Sequence, residues 1–213
     1  MHIEPGILAQ PKLIFAGTAS AGVLAYYLRY LARRPGDWLR TALAAVFFSV
    51  FMQAFHAPVG ASELHFVGAM PIYLTLGLLP TLFGFAVGLL VQGLLFAPGD
   101  LIHWAVNSLS LILPLLLVHY SFGRRHRDDG EALTWARIVR LDAIFYSGVA
   151  AMVGFWLAGT ETGLSAWAVW ASSYAAIVVV EPLLTYALIR TLRTQKGQPL
   201  ARFLDLGGVR LAT

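Results

Sequence analysis

The sequence predicts an all-α integral membrane protein of about seven transmembrane helices, forming one domain over residues 1–213. Three observations carry this. First, 58% of the residues are hydrophobic and only 12% are charged, about half the roughly 25% of charged residues in soluble domains. The mean hydropathy is +0.71. Second, the apolar residues fall into seven segments bounded by proline, glycine or charge. Third, the basic residues cluster in alternate loops.

The segments run over 12–32, 38–56, 65–79, 81–97, 101–121, 138–158 and 165–191. The first ends at the Arg33-Arg34-Pro35-Gly36 turn, and the second opens after Asp37. The third and fourth are short and are expected to break at Pro80. Short, interrupted segments pack inside protein rather than against lipid. The stretch HAPVGASELH (56–65) is too apolar for an ordinary exposed loop and is expected to fold back toward the membrane. The fifth segment ends before Arg124-Arg125, the sixth starts after Arg137, and the seventh runs to Arg190. No internal repeat and no second domain are visible.

An amino terminus placed outside puts fourteen of the fifteen Lys and Arg residues on the cytoplasmic side, with only Lys12 outside. That follows the positive-inside rule. Seven crossings then leave the carboxyl terminus in the cytoplasm. Trp38 and Trp135 are expected at the inner interface, and Trp104, Trp167 and Trp170 at the outer one. In a soluble chain the pI near 9.6 would suggest nucleic acid; here it reports topology, and no nucleic-acid partner is expected.

Polar residues within the segments share one depth. Gln53, His56, Gln92, His103, Asn107, Ser108 and Ser110 all fall in the outer half, and polar groups in a membrane face a cavity or one another. Above them sits the start of the chain, MHIEPG. A free terminal amine, the amide nitrogen of residue 2 and the His2 imidazole can close a five-membered and a six-membered ring on one cation. Amine, amide and imidazole bind only when deprotonated. Such a set suits Ni(II) and Cu(II), then Co(II), and not Ca(II) or Mg(II), which want oxygen. One in-plane position stays open, and either His56 or His65 could fill it. His119 and His126, near the cytoplasmic end, are expected to do nothing specific.

Other chemistries are poorly supplied. There is no cysteine, so thiolate sites and disulfides are excluded. Neither H-E-x-x-H nor G-x-S-x-G occurs, which argues against an intramembrane hydrolase, and no G-x-x-x-x-G-K-[ST] occurs, so no ATP hydrolysis is expected. Gly17, Ala21 and Ala25, four residues apart in the first segment, form a small-residue face for close helix packing, within the chain or against a partner.

MHIEPG resembles the MHI-x-[DE]-G start of the CbiM/NikM family, the substrate-capture (S) components of energy-coupling-factor transporters for cobalt and nickel. PVGASELHFVG (58–68), QGLLFAPGDLIHWAVN (92–107) and EPLLTYAL (181–188) are similar to further patterns of that family. The resemblance implies a single substrate-binding domain of seven helices, with the amino terminus inserted into the core from outside. It implies a metal chelate from the Met1 amine and the His2 amide and imidazole, with His65 as fourth ligand and Gln92 and Asn107 in the pocket. His56 and His103 are further candidates. It implies a membrane coupling (T) component, a pair of cytoplasmic ATPase subunits and, as an optional addition, a small accessory membrane subunit. The chain departs from the family pattern in Glu4-Pro5, in the extra residue of SELH and in APGD. The rival expectations are an ATPase-independent metal permease and a haem-binding electron carrier using His56 and His103. No cofactor is expected, and Ni(II) or Co(II) is the transported ligand.

Overall fold

In a computed structural model the described residues are 7–54, 56–59, 62–161, 163–194, 203–206 and 209–212; the side chains of 56–58, 62 and 63 are outside the description. The helices are α1 (Gln10–Leu31), α2 (Pro35–Ala54), α3 (Ala69–Leu76), α4 (Leu78–Leu95), α5 (Trp104–Val118), α6 (Arg124–Arg127), α7 (Trp135–Leu157) and α8 (Leu164–Thr194). A hairpin of β1 (His56–Val59) and β2 (Ser62–His65) joins α2 to α3. A 3-10 turn over Pro98–His103 leads into α5, and a π-turn over His119–Gly123 leads out of it.

The helices are continuous where the apolar segments are. Leu78–Leu95, Pro98–Arg127, Trp135–Leu157 and Leu164–Thr194 are each long and apolar enough to cross a membrane. α1 and α2 have 22 and 20 residues, about 30 Å each at 1.5 Å per residue. The third segment behaves differently. It is helical only over the eight residues of α3, about 12 Å.

Packing nevertheless shows that this stretch returns the full distance. α2 and α4 lie side by side and parallel. A Cβ on Gly84 would overlap Ala44, and one on Gly88 would meet Phe48, while Gln53 bonds Gln92. The chain between them must therefore travel back from the end of α2 to the start of α4. The extended stretch His65–Gly68, at about 3.3 Å per residue, and α3 together make that pass. Two glycines bracket α3. Gly68 at its start has φ +64° and Gly77 at its end has φ +103°, a region closed to most side chains. The break between the third and fourth segments is thus Gly77, not the expected Pro80. Pro80 lies in the first turn of α4, where its missing N–H has no partner to lose.

The core runs through the middle of the bundle and includes Phe48, Met70, Tyr73, Phe85, Ile112, Phe145 and Val149. Trp38 and Trp135 are exposed at the arginine-rich end, as an interfacial role requires. Trp104, Trp167 and Trp170 do not form an exposed belt. The indole of Trp104 donates to Ala86 O at 2.8 Å and that of Trp167 to Ala150 O at 3.0 Å. Trp170 is buried against Tyr174. At the arginine-rich end Phe203 accepts from Arg40 on α2, Asp205 meets Thr75 on α3, and 210–212 pair with Leu133 just ahead of α7.

Candidate metal centre

The last turns of α2 and α4 are tied by side-chain amides. Gln53 Nε2 donates to Gln92 Oε1 at 2.6 Å, and Gln92 Nε2 donates to Ser49 O at 2.9 Å. Gln92 is buried, so each of these bonds offsets desolvation of the amide. One residue earlier in α2, Met52 O lies 3.3 Å from His65 Nδ1. A carbonyl there makes Nδ1 the N–H nitrogen and leaves the lone pair on Nε2, the tautomer that a metal-binding imidazole needs. His65 is 5% exposed and closes β2. The hairpin register pairs it across the strands with His56, so the two alternatives for a fourth ligand are backbone neighbours.

The start of α5 reaches the same end of the bundle. His103 closes the 3-10 turn and is buried. Asn107, one turn further on, is also buried, and its Oδ1 accepts no hydrogen bond among the described residues. Ser108 is buried as well. Ser110 links α5 to α7, because its Oγ donates to Val106 O and accepts from the Trp156 indole at 3.0 Å. Leu8 is buried in one cluster with Val106, Leu109 and Trp156, which brings the chain ahead of α1 to the residues flanking Asn107. Lys12, the one Lys or Arg at this end among the described residues, has its ammonium against the carbonyls of Trp156 and Ala158 at the end of α7. A cation at a helix C-terminus is favourably placed.

Of the expected site residues, then, His65 and Gln92 hang from the same turn of α2, while His103 and Asn107 lie at the start of α5. Met1 and His2 lie outside the described residues, as does the His56 side chain. Among the described residues no three His, Asp or Glu side chains form a metal-holding group. A complete nitrogen set would therefore draw on donors beyond them. Of the small-residue face, Gly17 is half-buried and Ala21 and Ala25 are exposed, and a Cβ on Gly17 would meet nothing within 4 Å. Among the described residues no helix therefore approaches Gly17 closely.

Two histidines expected to be idle are not. His119 is buried and its Nδ1 lies 2.8 Å from the Tyr73 hydroxyl, joining α5 to α3. His126 Nδ1 lies 3.0 Å from Glu131 O. Sequence reasoning also passed over a buried acid pair, Asp142 on α7 and Glu181 on α8, both at 0% exposure. The signal was available, since an acid inside an apolar run is costly and marks a function or a partner.

Comparison with known proteins adds the family. The model of the CbiM family, described as the cobalt uptake substrate-specific transmembrane region, matches residues 2–199. The chain belongs to this family. The crystal structure of a transition metal transporter is similar in fold, with a TM-score of 0.71 and 20% identity, over 95% of this chain and 97% of that one. The crystal structure of a truncated transition metal transporter is similar at a TM-score of 0.69 and 20% identity, over 90% of this chain and 99% of the other. Comparison with curated proteins gives no match. This CbiM-family chain is a multi-pass membrane protein and a metal-transporter component.

Proposed function

We propose that the chain is the substrate-capture component of an energy-coupling-factor importer for Co(II) or Ni(II). Its ion is chelated by the Met1 amine, the His2 amide and imidazole, and His65. The single observation that carries this reading is at the hairpin end of the bundle: a buried imidazole whose Nδ1 faces a carbonyl, together with a buried Asn107 Oδ1 that accepts nothing among the described residues. An unsatisfied buried oxygen costs about 1–3 kcal/mol, a cost that a metal-bound N–H would relieve. Asn107 and Gln92 then orient the chelate from outside the coordination sphere.

The hairpin end faces outward and the arginine-rich end faces the cytoplasm, on the positive-inside rule. In that orientation the chain crosses seven times and its carboxyl terminus is cytoplasmic. The chain hydrolyses no ATP; a membrane coupling component and cytoplasmic ATPases supply the energy. The exposed small face of Gly17, Ala21 and Ala25 is where a partner helix could approach closely.

Calorimetry on detergent-solubilised protein with an unmodified amino terminus tests the reading. It should give about one Ni(II) or Co(II) per chain and little heat with Mg(II) or Ca(II). Preference for calcium or magnesium would sink it. Undiminished metal uptake in cells lacking every candidate ATPase partner would instead favour an ATPase-independent permease.

A further inference from the structure

A glutamate in the middle of a 31-residue apolar helix needs a reason, and its neighbours supply one. Glu181 Oε1 accepts from Met70 N at 2.9 Å, with the Gly68 N–H beside the same carboxyl. Its Oε2 accepts from the Tyr146 hydroxyl. Met70 is in the first turn of α3, so the carboxyl of α8 takes up helix-start N–H groups that otherwise have no partner in this buried setting. Negative character at a helix N-terminus is favourable. The Asp142 carboxyl lies against Glu181, and among the described residues no N–H or hydroxyl reaches either Asp142 oxygen.

The segment that Glu181 holds starts at His65. Between His65 and α3 lie only Phe66, Val67 and Gly68, all buried. Phe66 packs edge-on to Phe51 at 5.5 Å. Gly68 sits at φ +64°, where a Cβ would run into the Phe51 ring. Seven residues before Glu181, and so on the same face of α8, Tyr174 sits beside the His65 backbone. Tyr174 stacks on Tyr146 at 5.2 Å between centroids. One face of α8 therefore touches both ends of a short tether that has no slack.

We propose that Glu181 is the positioning residue for the metal ligand His65, acting through the start of α3, with Tyr146 and Asp142 holding its carboxyl in place. The proposal rests on the reading of His65 as a ligand. Glu181 itself does not touch the ion. If the α3 start loses its anchor, His65 drifts from the in-plane position and leaves a three-nitrogen chelate.

The test is visible absorption of Ni(II) added to the untagged full-length chain in detergent, read with thermal unfolding of the metal-free protein. His65→Ala should shift the d–d band to longer wavelength, because one nitrogen of the field is lost. Glu181→Ala should reproduce the His65→Ala band and weaken Ni(II) affinity at least about tenfold. If Glu181→Ala does not fold, Glu181→Asp serves. Its carboxylate is one methylene shorter, which withdraws it from Met70 N, and it should show the shifted band. A Glu181 variant with a lowered melting temperature but the wild-type band and affinity would overturn the proposal and leave Glu181 a stability residue. A wild-type band in His65→Ala would overturn the ligand reading and this proposal with it.

Discussion

The backbone N–H of Asp205 donates to Thr75 O at 2.8 Å, so the far end of the chain closes the last turn of an eight-residue buried helix. Arg127 completes the closure. Its Nη1 donates to Leu74 O at 3.1 Å and to Asp205 O at 2.8 Å, and it forms an ion pair with the Asp205 carboxylate. α3 is thus held at its start by a carboxyl from α8 and at its end by a guanidinium from α6. Both match the charge of the helix terminus they meet.

Arg127→Ala should lower stability by about 1–3 kcal/mol, because Leu74 O is left buried without its donor. The ion pair adds less, since Asp205 is partly solvated at 40% exposure and water screens its charge. Thermal unfolding in detergent measures it. Asp205→Asn, which keeps the backbone bonds, should be much milder, and equal losses for the two variants would show that the ion pair dominates.

His65→Ala should weaken Ni(II) binding more than His56→Ala, and His119→Ala should leave binding unchanged while lowering the melting temperature. His119 is tied to Tyr73 at the arginine-rich end, remote from the hairpin. Calorimetry and thermal melts of the three variants separate these outcomes. A larger loss from His56→Ala would transfer the fourth-ligand role across the hairpin.

Asn107→Ala should reduce metal affinity on the order of 10–100-fold with only a small loss of metal-free stability. Its Oδ1 accepts no bond among the described residues, so in the absence of ion the truncation costs packing but breaks no hydrogen bond to that oxygen. A stability loss with unchanged affinity would make Asn107 an ordinary packing residue.

Gly84→Leu should destabilise the chain by about 3 kcal/mol, because α2 and α4 touch there and overpacking a close contact is costly. Gly17→Leu, on the open face of α1, should leave the melting temperature of the isolated chain unchanged. If Gly17 meets a partner helix, the same change should lower metal uptake in cells while binding by the purified chain persists.

An extra residue before Met1 should abolish metal binding and uptake, because the terminal amine becomes an amide, a far weaker donor until it too is deprotonated. A tag after Thr213 should be harmless. Mass spectrometry should find Met1 present and unmodified. Tight Ni(II) binding by a tagged chain, with the tag's own histidines absent, would show that MHIEPG is a solvated end.

Much of this was readable from residues alone, because it depends on composition and local pattern. Apolar runs of about 20 residues can satisfy their backbone only as helices in a membrane, so the six long rods follow directly from the segments around 12–32, 38–56, 81–97, 101–121, 138–158 and 165–191. The chelating potential of MHIEPG is also local, since its rings close through consecutive atoms. Tertiary structure decided what depends on neighbours distant in sequence. The third segment is part extended chain and part helix, because Glu181 and Arg127 supply from other helices the bonds that a longer helix would have made internally. The break falls at Gly77 because only there does the backbone adopt a positive φ beside the Arg127 guanidinium. The same long-range contacts set His65 against Met52 O and Gln92 against Gln53. A sequence shows that such polar groups need partners, but the partners are chosen by the packing of helices that no local pattern encodes.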